Sequence, residues 1–335
     1  MIPSKTILTD DFGRKHNYLR ISLLEKCNLR CTYCMPADGI VLSPKASLMT
    51  AEEIFSIAQT FVENGVDKIR LTGGEPLLRK DFPEIVSKLG TLGISLSITT
   101  NGILIDRHID VLQQNKINKI NLSLDTLIAS KFHSITLRDQ FEKVINNLHL
   151  LLKHDFKVKI NVVLMKGFNE NEIIDFVKLT QFLPVSVRFI EFMPFAGNEW
   201  DRSKMVSQNE ILSELEKTFS SEEIQKLEDE KNFTARTYKI KGFQGDFGII
   251  SSITNPFCDG CNRIRLTANG KIKNCLFSNS ETDLLTALRN GESITNLIYE
   301  SIKNKKKVRA GMVTIEEMDD PLLHFDNRSM IAIGG

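Results

Sequence analysis

The sequence predicts an α/β fold, an incomplete (βα)6 barrel of the triosephosphate-isomerase type followed by a C-terminal α+β region. Three observations lead there. Short β-rich runs alternate with amphipathic helical stretches from about residue 18 to residue 193, which implies crossovers and a parallel sheet. The strand runs each have an apolar and a polar side, whereas buried parallel strands ordinarily read as continuous apolar runs. Six such units fall short of the eight that close a barrel around an apolar lumen.

The first strand run is LRISLL (19–24), in which Leu19, Ile21 and Leu23 alternate with Arg20 and Ser22. Thr50 and Glu53 form a capping-box pattern that starts a helix, and Gly65 stops it. DKIRLT (67–72) places Lys68, Arg70 and Thr72 on its polar side and runs into T-G-G-E-P (72–76). Two glycines there let the backbone approach a ligand, and Glu75 offers acceptors to an amino group. By itself such a stretch is an ordinary turn. A crossover (81–93) leads to ISLSIT (94–99), with Ser95, Ser97 and Thr99 polar. KINLSLD (119–125) follows, with Asn121, Ser123 and Asp125 polar. Crossovers at 140–154 and 169–183 flank FKVKINVVL (156–164), where Lys159 and Asn161 are polar. VSVRFIEFM (185–193) sets Arg188 between Val187 and Phe189. Residues 200–245 suggest no definite element. In F-C-D-G-C-N-R-I-R-L (257–266), Arg263 and Arg265 share one side of a short strand, and T-A-N-G-K-I-K-N reads as a hairpin turn before Cys275. The run Lys303 to Arg309 reads as a solvated face. The expected division is a barrel core (1–195), a C-terminal region (196–325) and a double-glycine tail (326–335).

Turned against the crossover helices, the apolar sides leave the polar sides to line a cavity. Arg20, Lys68, Arg70, Lys159 and Arg188 then converge on it. Five cations in one cavity require a polyanion, and a triphosphate has the size. The alternative is that each is a solvated cation at a strand edge.

The 335 residues are 41% hydrophobic and 25% charged, with a formal net charge of +1. That composition is of a globular protein, and the charge argues against a general nucleic-acid surface. The N-terminal segment is too polar for a secretory signal, and no apolar run is long enough to span a bilayer. The expectation is a cytoplasmic protein without membrane or nucleic-acid partners.

The six cysteines fall into two trios, C-x3-C-x2-C (Cys27, Cys31, Cys34) and C-x2-C-x13-C (Cys258, Cys261, Cys275). Three thiolates are one short of a closed four-ligand site, and no histidine stands near enough to complete either. Free thiols in such spacing fit metal binding in a reducing compartment better than disulfides. The first trio lies on the loop after strand one, the end where barrel enzymes place chemistry. Three cysteines there can bind three irons of a four-iron cluster and leave the fourth exposed, with Tyr33 beside it. For the second trio, a zinc ribbon and a second four-iron cluster with an open iron both remain, with Arg263 and Arg265 flanking the site.

C-N-L-R-C-T-Y-C-M-P resembles the signature of the radical S-adenosylmethionine superfamily, and T-G-G-E-P resembles that superfamily's motif for the methionyl amino group. Nearly the whole chain, through K-I-R-L-T-G-G-E-P-L, T-T-N-G, N-L-S-L-D, R-F-I-E-F-M, F-C-D-G-C-N-R-I-R-L and the terminal Gly334-Gly335, resembles the GTP 3′,8-cyclase family of molybdenum cofactor biosynthesis. The resemblance implies two [4Fe-4S] clusters, on Cys27, Cys31 and Cys34 and on Cys258, Cys261 and Cys275, with S-adenosylmethionine on the first and GTP on the second. It implies S-adenosylmethionine contacts at Tyr33, Gly74, Ser123 and Met193. GTP contacts fall on Arg20, Lys68, Arg70, Thr99, Lys159, Arg188, Arg263 and Arg265. Arg20, Arg263, Arg265, Gly334 and Gly335 take catalytic roles, the glycine tail reaching into the active site. The implied reaction takes hydrogen from ribose C3′ and joins that carbon to guanine C8, giving (8S)-3′,8-cyclo-7,8-dihydroguanosine 5′-triphosphate. Implied partners are a one-electron donor of flavodoxin or ferredoxin type and the next enzyme, cyclic pyranopterin monophosphate synthase, with a homodimer as an open option. Two other readings are a radical peptide maturase with an auxiliary cluster and a non-catalytic zinc-binding scaffold.

Overall fold

The computed structural model describes residues 7–36, 38–229, 231–324 and 326–334. In chain order, β1 (Tyr18–Ser22), α1 (Ala51–Glu63), β2 (Lys68–Thr72), α2 (Phe82–Gly90) and β3 (Ser95–Thr100) form the first units. Then come α3 (Ile109–Gln114), β4 (Lys119–Ser123), α4 (Ala129–Thr136), α5 (Phe141–Lys153), β5 (Lys157–Leu164), α6 (Ile173–Phe182) and β6 (Ser186–Glu191). The remainder comprises α7 (Gln208–Glu216), β7 (Ile224–Lys226), β8 (Arg236–Ile240), β9 (Asp246–Ile250), β10 (Arg263–Leu266), β11 (Lys271–Lys273) and β12 (Thr282–Asp283), then α8 (Leu284–Arg289), α9 (Thr295–Lys303), α10 (Ile315–Asp319) and α11 (Met330–Ile333).

Among the described residues the strands form one twelve-stranded sheet in the order β12-β11-β10-β1-β2-β3-β4-β5-β6-β9-β8-β7. The six expected strands stand side by side in parallel, as the alternating pattern requires. The C-terminal region adds a parallel strand at each flank, β10 beside β1 and β9 beside β6. Each of these carries an antiparallel neighbour, β11 and β8. Residues 200–245, which suggested no element, supply α7 and the edge strands β7 and β8. Two short helices, α3 and α4, also lay outside the expectations. Both are too brief to show a full apolar stripe.

Strand parity sorts the layers as expected. Leu19, Ile21, Ile69, Leu71, Ile98, Ile120, Leu122, Ile160, Val162, Val187 and Phe189 have no accessible surface and pack with the helices in one core cluster. Burying each such side chain is worth roughly 1.5–3 kcal/mol, so this outer layer holds the sheet against the charge crowded on its inner face. The capping box at α1 is present: Glu53 N donates to Thr50 Oγ1 and Thr50 N donates to the Glu53 carboxylate. Arg289 at the end of α8 donates to the same carboxylate and so ties the C-terminal region onto α1.

The expected solvated face at 303–309 is only half right. Lys303, Lys306 and Lys307 are exposed, but Lys305 and Arg309 are each 4% exposed. Main-chain carbonyls draw them inward. Arg309 donates to the carbonyls of Ile253, Met312 and Val313. Lys305 donates to those of Arg263 and Asn274. Among the described residues, no helix is long and apolar enough to cross a membrane.

Candidate active site

One cavity touches all eight parallel strands. Its walls include Arg20, Arg70, Thr99, Asn121, Lys159, Asn161, Arg188, Ile250, Arg263 and Arg265, with Met193, Cys258, Cys261 and Cys275 at one side. It therefore gathers Arg20, Arg70, Thr99, Lys159, Arg188, Arg263, Arg265 and Met193 with the second cysteine trio. Lys68 does not line it. Tyr33, Gly74, Ser123 and the first trio also lie outside its walls.

Register explains how the cations meet. Arg265, Arg20 and Arg70 are successive partners across β10, β1 and β2. Neighbouring strands stand about 4.8 Å apart, so three guanidinium groups are held in a row where like charges repel. Tyr18, two residues before Arg20 and on the same side of β1, lies beneath them. Arg20 and Arg70 each stand 5.5 Å from its ring centroid and Lys68 stands 4.6 Å from it. Lys68 thus joins the cation group from below, through the ring. Burial raises the Tyr18 hydroxyl, but Arg70, Arg20 and Lys68 outweigh it and bring the group below its ordinary value.

The crowding shows in the arginines too. Burial, with help from Arg20 and Arg263, lowers Arg70 to about 10, and burial and Arg20 press Arg265 well below its usual range. Both stay charged near neutral pH, and like charges crowded in this way favour a polyanion among them. Arg20 Nε is buried with no hydrogen-bond partner among the described residues. On the opposite wall Arg188 makes a 3.0 Å ion pair with Asp246. Gly248, the register partner of Arg188, leaves room for its guanidinium, since a Cβ there would stand 2.5 Å from Nη1.

The first trio is built on the loop after β1 and braced from three directions. Gly74 N donates to Leu24 O at 2.7 Å and Glu75 N to Lys26 O at 2.9 Å. Only glycine permits this fit: a Cβ on Gly74 would meet Lys26 O at 2.4 Å. Asn101 Nδ2 approaches Cys27 Sγ at 3.7 Å. The end of α4 accepts from the loop at Thr136 O and Ile135 O, each at about 3 Å. Tyr33 donates to Asp125 at 2.8 Å, and Ser123 ends β4 just before it. The Glu75 carboxylate accepts from Leu77 N, Thr100 Oγ1 and Asn101 N. It ties the turn after β2 to the end of β3, and burial pushes it up to about 7.

All six cysteines are free thiols, and within each trio they lie close enough to perturb one another. Among the described residues, no group of three or more His, Cys, Asp or Glu is arranged to hold a single metal ion. The donor chemistry at both trios suits a cluster with soft, thiolate-binding iron. The surroundings differ. Burial raises Cys27 to about 11 and Cys34 to about 12, with Asp125 adding to the latter. At the second trio burial also opposes the thiolate, yet Arg263 and Lys305 overcome it and bring Cys261 to about 6.

The tail lies against the paired C-terminal ends of β1 and β2, at Ser22 and Thr72. Arg265 Nη1 donates to Gly334 O at 2.6 Å, and a Cβ on Gly334 would stand 2.5 Å from Thr72 Oγ1. Arg328 binds Glu281 through two 2.6 Å hydrogen bonds, and buried Lys273 donates to Asn327 Oδ1. Gly335 lies outside the described residues.

The family models bear directly on this arrangement. Residues 21–180 match the Radical SAM superfamily and residues 185–310 match Molybdenum Cofactor Synthesis C. A protein of Peptoclostridium acidaminophilum, GTP 3′,8-cyclase, is 41% identical over 99% of this chain and 99% of its own length. The chain belongs to the GTP 3′,8-cyclase family. A mitochondrial GTP 3′,8-cyclase of Arabidopsis thaliana is 44% identical over 99% of this chain and 85% of its own. Molybdenum cofactor biosynthesis protein 1 of Mus musculus is 48% identical over 99% of this chain and 52% of its own. The chain thus spans about half the length of that relative and of its counterparts in Bos taurus and Homo sapiens. Among solved structures, SuiB of Streptococcus suis has a TM-score of 0.63 at 16% identity, over 86% of this chain and 67% of that one. At that identity the likeness concerns the fold alone.

Sequence reasoning overlooked Tyr18, Asp246, Gly248 and Lys305. Tyr18 alone carried a local signal, its shared parity with Arg20. The others depend on which strands and loops meet.

Proposed function

We propose that the chain catalyses radical cyclisation of GTP to (8S)-3′,8-cyclo-7,8-dihydroguanosine 5′-triphosphate, the first step of molybdenum cofactor synthesis. The observation that carries this is the single cavity in which Arg20, Arg70, Lys159 and Arg188 face the second cysteine trio and its neighbours Arg263 and Arg265. A cation row needs a polyanion, and a trio one ligand short needs a donor from a small molecule. GTP supplies both, as triphosphate and as guanine.

In this reading Cys27, Cys31 and Cys34 hold one [4Fe-4S] cluster and Cys258, Cys261 and Cys275 hold another. Tyr33, Gly74, Ser123 and Met193 hold S-adenosylmethionine; bound at the first cluster, it supplies the radical that takes hydrogen from ribose C3′. The chain's own residues do the rest by orientation. Arg20, Arg70, Lys159 and Arg188 fix the triphosphate, Thr99 adds a hydroxyl beside them, and Lys68 supports the row through Tyr18. Arg263 and Arg265 fix the opposite end, Gly334 brings its carbonyl against Arg265, and Gly335 shares the catalytic role of the tail. Holding both ends of one nucleotide favours ring closure over diffusion of the ribose, and burial protects the radical from side reactions. Residues 1–195 act as the radical-generating core, 196–325 as the substrate region and 326–335 as an inserted tail.

The partners that suit this chemistry are a one-electron donor of flavodoxin or ferredoxin type and cyclic pyranopterin monophosphate synthase, with a homodimer compatible with the reading. Free cysteines in oxygen-sensitive sites fit a reducing compartment such as the cytoplasm. The test is anaerobic incubation of reduced, reconstituted protein with S-adenosylmethionine, with and without GTP. Formation of 5′-deoxyadenosine that depends on GTP, with GTP consumed, is the expected result. GTP-independent cleavage with GTP unchanged overturns the assignment.

A further inference from the structure

Lys305 is 4% exposed and lies at the cavity wall beside the second trio. Its ammonium has three hydrogens to donate. One goes to the carbonyl of Arg263 at 2.9 Å, two residues after Cys261, and one to the carbonyl of Asn274, immediately before Cys275. The ammonium also stands near enough to Cys261 to favour its thiolate. The donors are therefore committed to the two strand ends that present Cys261 and Cys275.

The segment bearing Lys305 is fixed in turn. Arg14, 8% exposed, donates to the carbonyls of Lys306 and Lys307 at 2.9 and 2.8 Å and to that of Cys258 at 2.9 Å. Its Nε binds Asp10 at 2.6 Å, and Asp10 is held by His16 at 3.0 Å. On the far side Arg309, which shares the cavity wall with Cys258, spends its guanidinium on three carbonyls. Residues 305–309 thus form a strap that contacts the frame around all three cysteines. Burying a lysine whose hydrogen bonds go to neutral carbonyls costs free energy. That cost fits a site whose thiolates supply the missing negative charge.

We propose that Lys305 is a positioning residue of the second cysteine trio, clamping its two strand ends and placing a fixed positive charge beside the Cys261 ligand. This rests on the reading of that trio as an iron–sulfur site. A cation held beside a ligating sulfur stabilises the reduced, more negative cluster, as outer-shell charge does generally. Lys305 therefore helps retain the cluster and raises its reduction potential.

The test uses the full-length, anaerobically reconstituted protein with S-adenosylmethionine present, which separates the spectrum of the first cluster from that of the second. Lys305→Gln keeps amide donors but removes the charge; Lys305→Arg keeps the charge. Iron and sulfide per chain and the midpoint potential of the second cluster are measured by chemical analysis and by electron paramagnetic resonance during redox titration. The expected result for Lys305→Gln is a more negative second potential, or loss of about four of roughly eight irons, with the first cluster unchanged and Lys305→Arg close to the parent. Thermal unfolding of each variant reports whether the fold survives. Unaltered iron content and second-cluster potential in Lys305→Gln overturn the proposal. If the parent protein itself holds zinc at Cys258, Cys261 and Cys275, the iron–sulfur reading fails and the redox role with it.

Discussion

The guanidinium of Arg265 donates a 2.6 Å hydrogen bond to the carbonyl of Gly334. A strand that carries cavity-facing charge is thereby joined to the last described residue of the chain. Gly334 has φ +88°, and a Cβ there would stand 2.5 Å from Thr72 Oγ1 and 3.0 Å from Ser22 Cβ. Gly334→Ala is expected to push the tail off Arg265 and to lower GTP turnover by about 10²-fold, the usual scale for a misplaced reacting group. Arg265→Ala and Arg263→Ala are expected to do the same. Iron analysis should find the first cluster assembled in all three; its loss would make their role structural.

The opposite wall offers a different test. Gly248 leaves the space that the Arg188 guanidinium occupies. Gly248→Ala is expected to displace Arg188 and disturb its 3.0 Å contact with Asp246. A charge-assisted contact is worth about 1.5–3 kcal/mol, so GTP affinity should fall at least roughly tenfold by equilibrium binding. Cleavage of S-adenosylmethionine at saturating GTP should change far less. Unchanged affinity would remove Arg188 from the triphosphate site.

Gly74 addresses the first trio. Its close approach to the Lys26 carbonyl holds the loop that presents Cys27. A side chain there clashes with backbone, which cannot swing aside. Gly74→Ala is expected to reduce iron from roughly eight to about four per chain and to abolish 5′-deoxyadenosine formation, with GTP binding retained. Retention of all the iron would show that the loop adapts.

His16 gives a pH signature. Burial, with Lys305 adding to it, lowers its imidazole to about 4 from an ordinary 6.5. The folded state keeps the ring neutral, so the unfolded chain takes up the proton first as pH falls. The contribution is therefore present above about pH 6.5 and is lost as pH drops toward 4. The shift corresponds to a loss of about 3 kcal/mol when complete. Urea unfolding at pH 7.5 and pH 5 should show His16→Gln losing less stability than the parent over this interval. Equal losses would exclude His16 as a source of the acid sensitivity.

Much of the site was legible in the sequence because side-chain parity is a local property. In β1, β2, β5 and β6, residues two apart face the same side whatever the neighbours are. Arg20, Arg70, Lys159 and Arg188 could thus be assigned to one surface before any pairing was known. Cysteine spacing is local in the same sense, as is the capping box of Thr50 and Glu53.

Pairing over long chain separations was not legible. Backbone hydrogen bonds carry no label for which strand lies next to which, so nothing in R-I-R-L set β10 beside β1 or Arg265 opposite Arg20. The space at Gly248 exists only because β9 joins β6. Lys305 and Arg309 sit in a run that has the composition of a solvated surface. They are buried because carbonyls around the second trio, supplied by distant segments, accept their hydrogens. The sequence by itself determined which residues share a face and that two cysteine trios each lack a ligand. Only the tertiary structure decided that both flanks of the sheet fold back to the same cavity, because that choice rests on packing and hydrogen-bond partners far apart along the chain.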